Sequence, residues 1–322
     1  MTVLYIPEQL LQSTMEAFDV GDTEAIRQQL NDLKKDYPFD ERAYYFEYTL
    51  FERIGDTANA LNALWRCLDI RPQEALFLNA MAELVISDKD QRKLKSHDLW
   101  SKHDGKKTAD STANVQPDRT ARYNLAAKIL RQKFGSCSQL QGLDLFCRNG
   151  YGSKIINSTT GARMIGIDDS EASIQQANAE HGNHRTVFIH QPFPFVLKHH
   201  HFDFAICCES IEHVADPQAL IAQIFKSTQG PVFISVPAEE TLPLKVNKKL
   251  FQSHHRHFKI GEILEICNGL GTHQLQRLYG QETCVLDNMK VSAAMASEKM
   301  YIKPHTPQSQ FHLLHFDAVI AH

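Results

Sequence analysis

The chain has 322 residues, 43% of them apolar and 22% charged, with a formal net charge of -4. This is the make-up of an ordinary globular chain with room for a full α/β domain and a smaller companion. It leaves no general electrostatic footprint for nucleic acid and no apolar run of membrane-spanning length, and its seven scattered cysteines fit reduced thiols better than a disulfide framework. Nucleic acid and membrane are therefore not expected partners, and with no basic-then-apolar leader at its start the chain reads as cytoplasmic.

Residues 8–86 carry an internal repeat. Gly21-Asp22-Thr23 recurs as Gly55-Asp56-Thr57, and Pro38 recurs as Pro72, both at an offset of 34 residues. Between these markers Ile26, Leu30 and Leu33 correspond to Ala60, Leu64 and Cys67, the stripe of a helix packed on its neighbours. Period and stripe together resemble tetratricopeptide repeats, which implies paired helices closed off by flanking helices at about 8–18 and 73–86. Residues 1–90 are read as this helical domain, serving either as a docking groove for a protein partner or as a stabilising appendage. From Ser87 to Thr120 the sequence turns polar and charged, with Trp100 its lone large aromatic residue. Residues 91–120 are taken as a linker to a domain covering 121–322.

That second domain alternates as a doubly wound sheet requires. A helix at 122–134 leads into apolar runs at 143–146, 164–168, 186–190, 202–208 and 231–236, short and rich in β-branched or aromatic residues. Two further β-like segments, at about 273–279 and 311–320, bring the expected count to seven. Between the strands the clearest helix runs from Pro217 to Lys226, with Asp216 as its N-cap and Pro217 at its first position. The interval 280–310 is long for a connection inside a sheet. His199 to His201 precede the fourth strand at the end away from the cleft and read as a solvated loop.

The chain is organised around Leu143 to Asp168, where the run LDLF meets the turn CRNGYGS, a helix-sized segment and then MIGID. In such a strand-helix-strand unit the amides opening the helix face the carboxyl ends of the strands, and an acid closing the second strand can accept from ribose hydroxyls. The closely spaced glycines are Gly150 and Gly152, short of a dinucleotide fingerprint, and no Walker lysine follows. Asp144 at the end of the first strand suits a cofactor with a cationic amino-acid end, which points to S-adenosylmethionine.

At these residues the chain resembles the class I S-adenosylmethionine-dependent methyltransferases, whose first motif reads roughly D-x-G-x-G-x-G. Asp144, Gly150 and Gly152 fit it, while Phe146 and Arg148 occupy the first two glycine positions. The resemblance implies a seven-stranded Rossmann-like sheet with its last strand antiparallel. It places Asp168 as the ribose acid and Gln191 where the family has an acid for the adenine amino group. The stretch FDFAICCESIEHVADP resembles the fourth-strand motif of small-molecule and ubiquinone-pathway O-methyltransferases, and SVPAE and HHRHFKIGEIL extend the likeness. The implied cofactor set is Asp144, Phe146, Gly150, Gly152, Asp168, Gln191 and Glu209.

Glu209, Glu212 and His213 have i, i+3 and i+4 spacing, which on a helical turn puts all three on one face. His213, with Glu212, is then the candidate general base for an acceptor hydroxyl, or the group binds a divalent ion that lowers the hydroxyl's pKa. The same constellation with a later histidine binds magnesium in the resembled small-RNA 2′-O-methyltransferases. His254, His255 and His257 offer that histidine, and the expected magnesium or manganese set is Glu209, Glu212, His213 and His257. The reading is an O-methyltransferase of a small molecule or glycan. The alternative is a decayed methyltransferase fold acting as a protein-binding scaffold, which Phe146, Arg148 and Gln191 favour.

Overall fold

A computed structural model describes residues 4–87, 117–198, 202–247, 251, 254–282 and 302–319. Trp100, the polar stretch 91–116 and His199 to His201 lie outside the described residues. The chain divides into two compact units, Met1–Val85 with Gly182–Val187, and Ile86–His181 with Phe188–His322.

The repeat in the first unit is a repeat of helix punctuation. Helix α1 (Glu8–Val20) ends at Gly21 and α3 (Glu41–Arg53) is followed by Gly55, at φ 80° and 76°, left-handed values that only glycine adopts without strain. Each glycine is followed by an aspartate that caps the next helix. Asp22 accepts from the amide of Ala25 at 3.1 Å to open α2 (Thr23–Asp36), and Asp56 from that of Asn59 at 3.2 Å to open α4 (Thr57–Ile70). The equivalent positions Ile26, Leu30 and Leu33 and Ala60, Leu64 and Cys67 are all buried. Helix α5 (Ala75–Val85) follows, with Phe77, Ala80, Met81, Leu84 and Val85 inward.

The strands β2 (Gln141–Leu145), β3 (Arg163–Asp168), β4 (Thr186–His190), β6 (Phe204–Cys208), β7 (Val232–Pro237), β8 (His273–Gln281), β9 (Ile302–Pro304) and β10 (Phe311–Ala318) form one sheet. Its order is β4-β3-β2-β6-β7-β10-β8-β9. A separate two-residue ladder joins β1 (Ile86–Ser87) to β5 (Val196–Leu197). β2 pairs in parallel with both β3 and β6, and β6 with β7, whereas β10 runs antiparallel to β7 and β8. The crossovers are α7 (Tyr151–Thr160), α8 (Glu171–His181) and α9 (Pro217–Ser227). α6 (Pro117–Phe134) precedes β2, and α10 (Leu244–Asn247) and α11 (Ile260–Gly269) follow β7. Chain order reverses at β2, so the carboxyl ends of β2, β3 and β6 frame the crevice where open α/β sheets bind ligands. Phe204, Ile206, Phe233 and Met164 of the sheet pack with Ala127 and Leu130 of α6 in one core.

Two corrections to the sequence reading concern the fold. Among the described residues the sheet has eight strands, not seven: within the interval 280–310, Ile302–Pro304 pairs with the edge of β8 that β10 leaves open. α6 starts at Pro117, five residues earlier than expected, because a proline at the first helical position loses no hydrogen bond there. Arg119, read as part of a linker, thereby stands in the first turn of a helix.

Candidate active site

The loop after β2 keeps the backbone of a glycine-rich turn without its glycines. Phe146, Arg148 and Gly150 stand at φ 59°, 53° and 79°. Such conformations cost a non-glycine residue about 1–2 kcal/mol each and persist only where their surroundings impose them. Here the amide of Cys147 donates to the carbonyl of Ile167 (3.1 Å), and that of Arg148 to Asp168 Oδ2 (2.8 Å). The remaining glycines answer to crowding. A Cβ on Gly150 would lie 2.4 Å from the Phe188 ring, and one on Gly152 2.2 Å from the Tyr123 ring.

Asp144 is fully buried at the end of β2, accepting from Ser153 Oγ (2.7 Å) and from the Tyr123 hydroxyl (3.1 Å). Burial outweighs both hydrogen bonds and pushes its carboxyl up to about 7. Asp168 closes β3, and burial raises it too, against the amides of Ser170 and Arg148 that it accepts. Gln191 follows β4 and its amide donates to the carbonyl of Asp168 at 3.0 Å, which brings it to the same edge of the sheet. The Phe146 ring lies 5.4 Å from Phe193 and 6.3 Å from Phe195.

A cleft in front of this loop is lined by Arg119, Arg122, Tyr123, Phe146, Cys147, Arg148, Tyr151, Cys208 and Glu209. It encloses about 10 Å³, space for about one water. Glu209 pairs with Arg122 and, at 3.2 Å, with Arg119. Burial pushes its carboxyl up, but the charges of Arg122 and Arg119, with Arg148 behind them, prevail and hold it at about 2. Arg119, Arg122, Tyr123 and Ser153 were not singled out from sequence. The signal was present in Pro117-Asp118, a helix-opening pair that lay in a polar stretch.

Glu209, Glu212 and His213 do not share one face. The helical turn is a 3-10 segment that begins only at Ile211, and Glu209, at φ 50°, turns instead toward the arginines. Glu212 and His213 meet His254, with one potential ligand atom from each lying within 4.8 Å of the others. The histidine loop is seated there by the amide of His255, which donates to the carbonyl of Glu212 at 2.8 Å. His257 stands one step behind. Its Nε2 is 3.0 Å from His254 Nδ1, and its own Nδ1 is 2.5 Å from the carbonyl of Leu242, which can only accept.

Glu212 is fully buried, and among the described residues neither carboxylate oxygen has a hydrogen-bond partner. Burial, followed by the charge of Glu209, pushes it up to about 8. A buried carboxyl of this kind beside two imidazoles can hold a proton or a cation, and either relieves the cost of an isolated charge.

No curated protein matches the chain in sequence. Among solved structures, an S-adenosylmethionine-dependent methyltransferase from Mesorhizobium loti is 16% identical with a TM-score of 0.47, covering 61% of this chain and 99% of its own. Magnesium protoporphyrin IX methyltransferase from Synechocystis PCC 6803, with bound S-adenosylhomocysteine, is 20% identical at a TM-score of 0.45, covering 63% and 84%. A methyltransferase from Thermotoga maritima is 18% identical at 0.45, covering 62% and 90%. These likenesses are remote, and family membership rests on the profile of the methyltransferase domain, which matches residues 118–289, more than half of the chain. The chain belongs to the methyltransferase-domain family, and its second unit is a class I S-adenosylmethionine-dependent methyltransferase domain.

Proposed function

We propose that the enzyme methylates an oxygen of a small molecule or glycan, with Glu212 and His213 acting on the acceptor hydroxyl. The observation that carries this is the buried carboxyl of Glu212, without a hydrogen-bond partner among the described residues and set among His213 and His254. The sulfonium of the donor is already activated, so the protein has to orient the two reactants in line and remove the acceptor's proton. An amine acceptor at neutral pH needs such help less than a hydroxyl does. His213 is the base in this reading, and Glu212 takes up or stabilises the resulting charge.

The cofactor-facing set in this proposal is Asp144, Phe146, Gly150, Gly152, Asp168, Gln191 and Glu209. Asp144 faces the methionine end, and Asp168 with Gln191 the ribose and adenine. Residues 1–90 offer no acid, base or cofactor ligand of their own in this scheme, and they serve as the docking region for a protein partner.

Of the two expected ions manganese fits the residues present better than magnesium, which prefers oxygen donors, since Glu212 supplies one carboxylate and His213 and His254 supply imidazole nitrogens. Glu212, His213 and His254 would hold the ion, with His257 orienting His254 from behind. When bound, such an ion lowers the pKa of a hydroxyl that it touches. Glu209, bound to two arginines, is not placed among the ligands. The test is turnover after chelation. It should vanish, return with magnesium or manganese, and fail to return in Glu212→Gln. Turnover indifferent to the chelator would leave His213 acting alone.

A further inference from the structure

We infer that the helical unit holds a small-molecule site of its own, a cavity between α2 and α3 that takes a compact monocarboxylate: an apolar ring or chain ending in one carboxylate. The inference is independent of the methyl-donor reading and concerns residues that the proposed reaction does not use. The cavity encloses about 270 Å³. An engineered cavity of about 150 Å³ takes up benzene, so this one has room for a ring and a short acidic arm.

The internal repeat singles this place out. At the 34-residue offset Arg27, Asn31 and Lys34 of α2 correspond to Leu61, Trp65 and Leu68 of α4, and Glu47 and Phe51 of α3 to Met81 and Val85 of α5. All the residues of the second repeat in this set are apolar and buried. In the first repeat only Phe51 is apolar. Leu30 and Leu50, which also line the cavity, keep apolar counterparts in Leu64 and Leu84, and all of these are buried. The scaffold positions are thus retained while the bulky apolar ones are exchanged, which is a local opening and not a general loss of the repeat. The exchanged residues lie between helices and not on an outer face. Lys34 of α2 pairs with Glu47 of α3, and the guanidinium carbon of Arg27 stands 5.9 Å from the centroid of the Phe51 ring.

The chemistry of the lining chooses the ligand. Glu47 is the acid on the wall, and Lys34 meets its charge. The side chain of Arg27 has neither an ion pair nor a hydrogen bond among the described residues, so the wall keeps one uncompensated positive charge. Arg27 and Asn31 are exposed and Leu30 and Leu50 buried, which puts the charge at the rim and apolar side chains at the floor. One cation over such a floor matches one anionic group on an apolar body. The planar guanidinium favours a carboxylate, which it grips with two parallel hydrogen bonds. Asn31, one turn along from Arg27 on the same helix, offers a further amide donor.

The test is isothermal calorimetry of the full chain with hydrocinnamate and octanoate, each beside its neutral amide. At least one acid should bind with a Kd of about 1 mM or tighter, as ligand efficiency allows for a molecule of about ten heavy atoms. It should bind about tenfold or more tightly than its amide, the lower end of what a charge-assisted hydrogen bond supplies. Arg27→Gln should bring acid and amide within about twofold of each other. Asn31→Trp, which installs the residue of the second repeat, should fill the space and remove acid binding. Circular dichroism melts verify that each variant folds, and Arg27→Gln alone decides if Asn31→Trp does not. Saturating S-adenosylhomocysteine should leave the acid bound. The assignment is overturned if neither acid binds by about 10 mM, if the amides bind as tightly as the acids, if a folded variant binds as the wild type does, or if S-adenosylhomocysteine displaces the acid. None of these results touches the methyl-donor reading, which fails only if S-adenosylhomocysteine itself does not bind.

Discussion

In the helical unit, Gly21 and Gly55 occupy the left-handed positions that separate the repeated helices, with nothing within 4 Å of where a Cβ would stand. Around the cleft, Phe146, Arg148 and Glu209 hold the same backbone conformation with full side chains. In the first case the residue follows the local rule, and the rule explains the turn. In the second the local rule is broken, and the break is sustained by hydrogen bonds to Asp168, Ile167 and Ser235 that shape the front of the crevice. The difference separates backbone that only has to turn from backbone that has to present something.

The comparison is sharpened most strongly at Gly152. Its glycine is required by the Tyr123 ring, and displacing that ring also breaks the bond to Asp144. Gly152→Ala should cost about 3 kcal/mol in urea unfolding and abolish binding of S-adenosylhomocysteine. A variant as stable as the wild type would mean that the ring is not packed against the loop.

The next effect concerns pH. Burial raises Asp144 from an ordinary 3.8 to about 7. Between about pH 4 and pH 7 the unfolded chain has released this proton while the folded chain still holds it, so this group makes stability fall as pH rises. From pH 5.5 to 7 it accounts for a loss of about 2 kcal/mol. Glu212, pushed to about 8, acts in the same direction over a window reaching further upward. Urea midpoints of Asp144→Asn should fall less steeply across this range than those of the wild type, and equal slopes would show that Asp144 is ionised in the folded protein.

The smallest effects have opposite signs in the two regions. Gly21→Ala and Gly55→Ala should each destabilise by about 1 kcal/mol, because a left-handed turn gains a Cβ. Arg148→Gly should stabilise by up to about 1 kcal/mol, because strain is relieved. Thermal melts read both, and a destabilising Arg148→Gly would show that the arginine side chain contributes more than its backbone costs.

Much of this was legible in the sequence wherever one residue type has one use. The repeat was visible because Gly-Asp-Thr writes a helix stop and a helix start in three letters, and the strands because buried parallel strands need apolar runs. Asp144, Gly150, Gly152 and Asp168 could be located by spacing along one crossover. What was not legible depends on backbone sign and on distance through space. The spacing of Glu209, Glu212 and His213 is compatible with a shared helical face, and nothing local shows that Glu209 sits at a positive φ and turns away. Three nearby histidines could not be ranked from sequence, because their order of approach is set by Leu242 and by the carbonyl of Glu212. Arg119 was hidden in a stretch whose composition suggested a linker, and Arg122 opened a helix read only as the approach to the first strand.

The central claim is that the strained loop, Asp144 and Asp168 hold S-adenosylmethionine despite Phe146 and Arg148. Isothermal calorimetry of the full chain with S-adenosylmethionine and S-adenosylhomocysteine tests it most directly. The account predicts saturable binding of both, weakened about tenfold or more in Asp168→Ala through loss of hydrogen bonds to the ribose. Absence of heat from either ligand at millimolar concentration, with the protein folded, would contradict it.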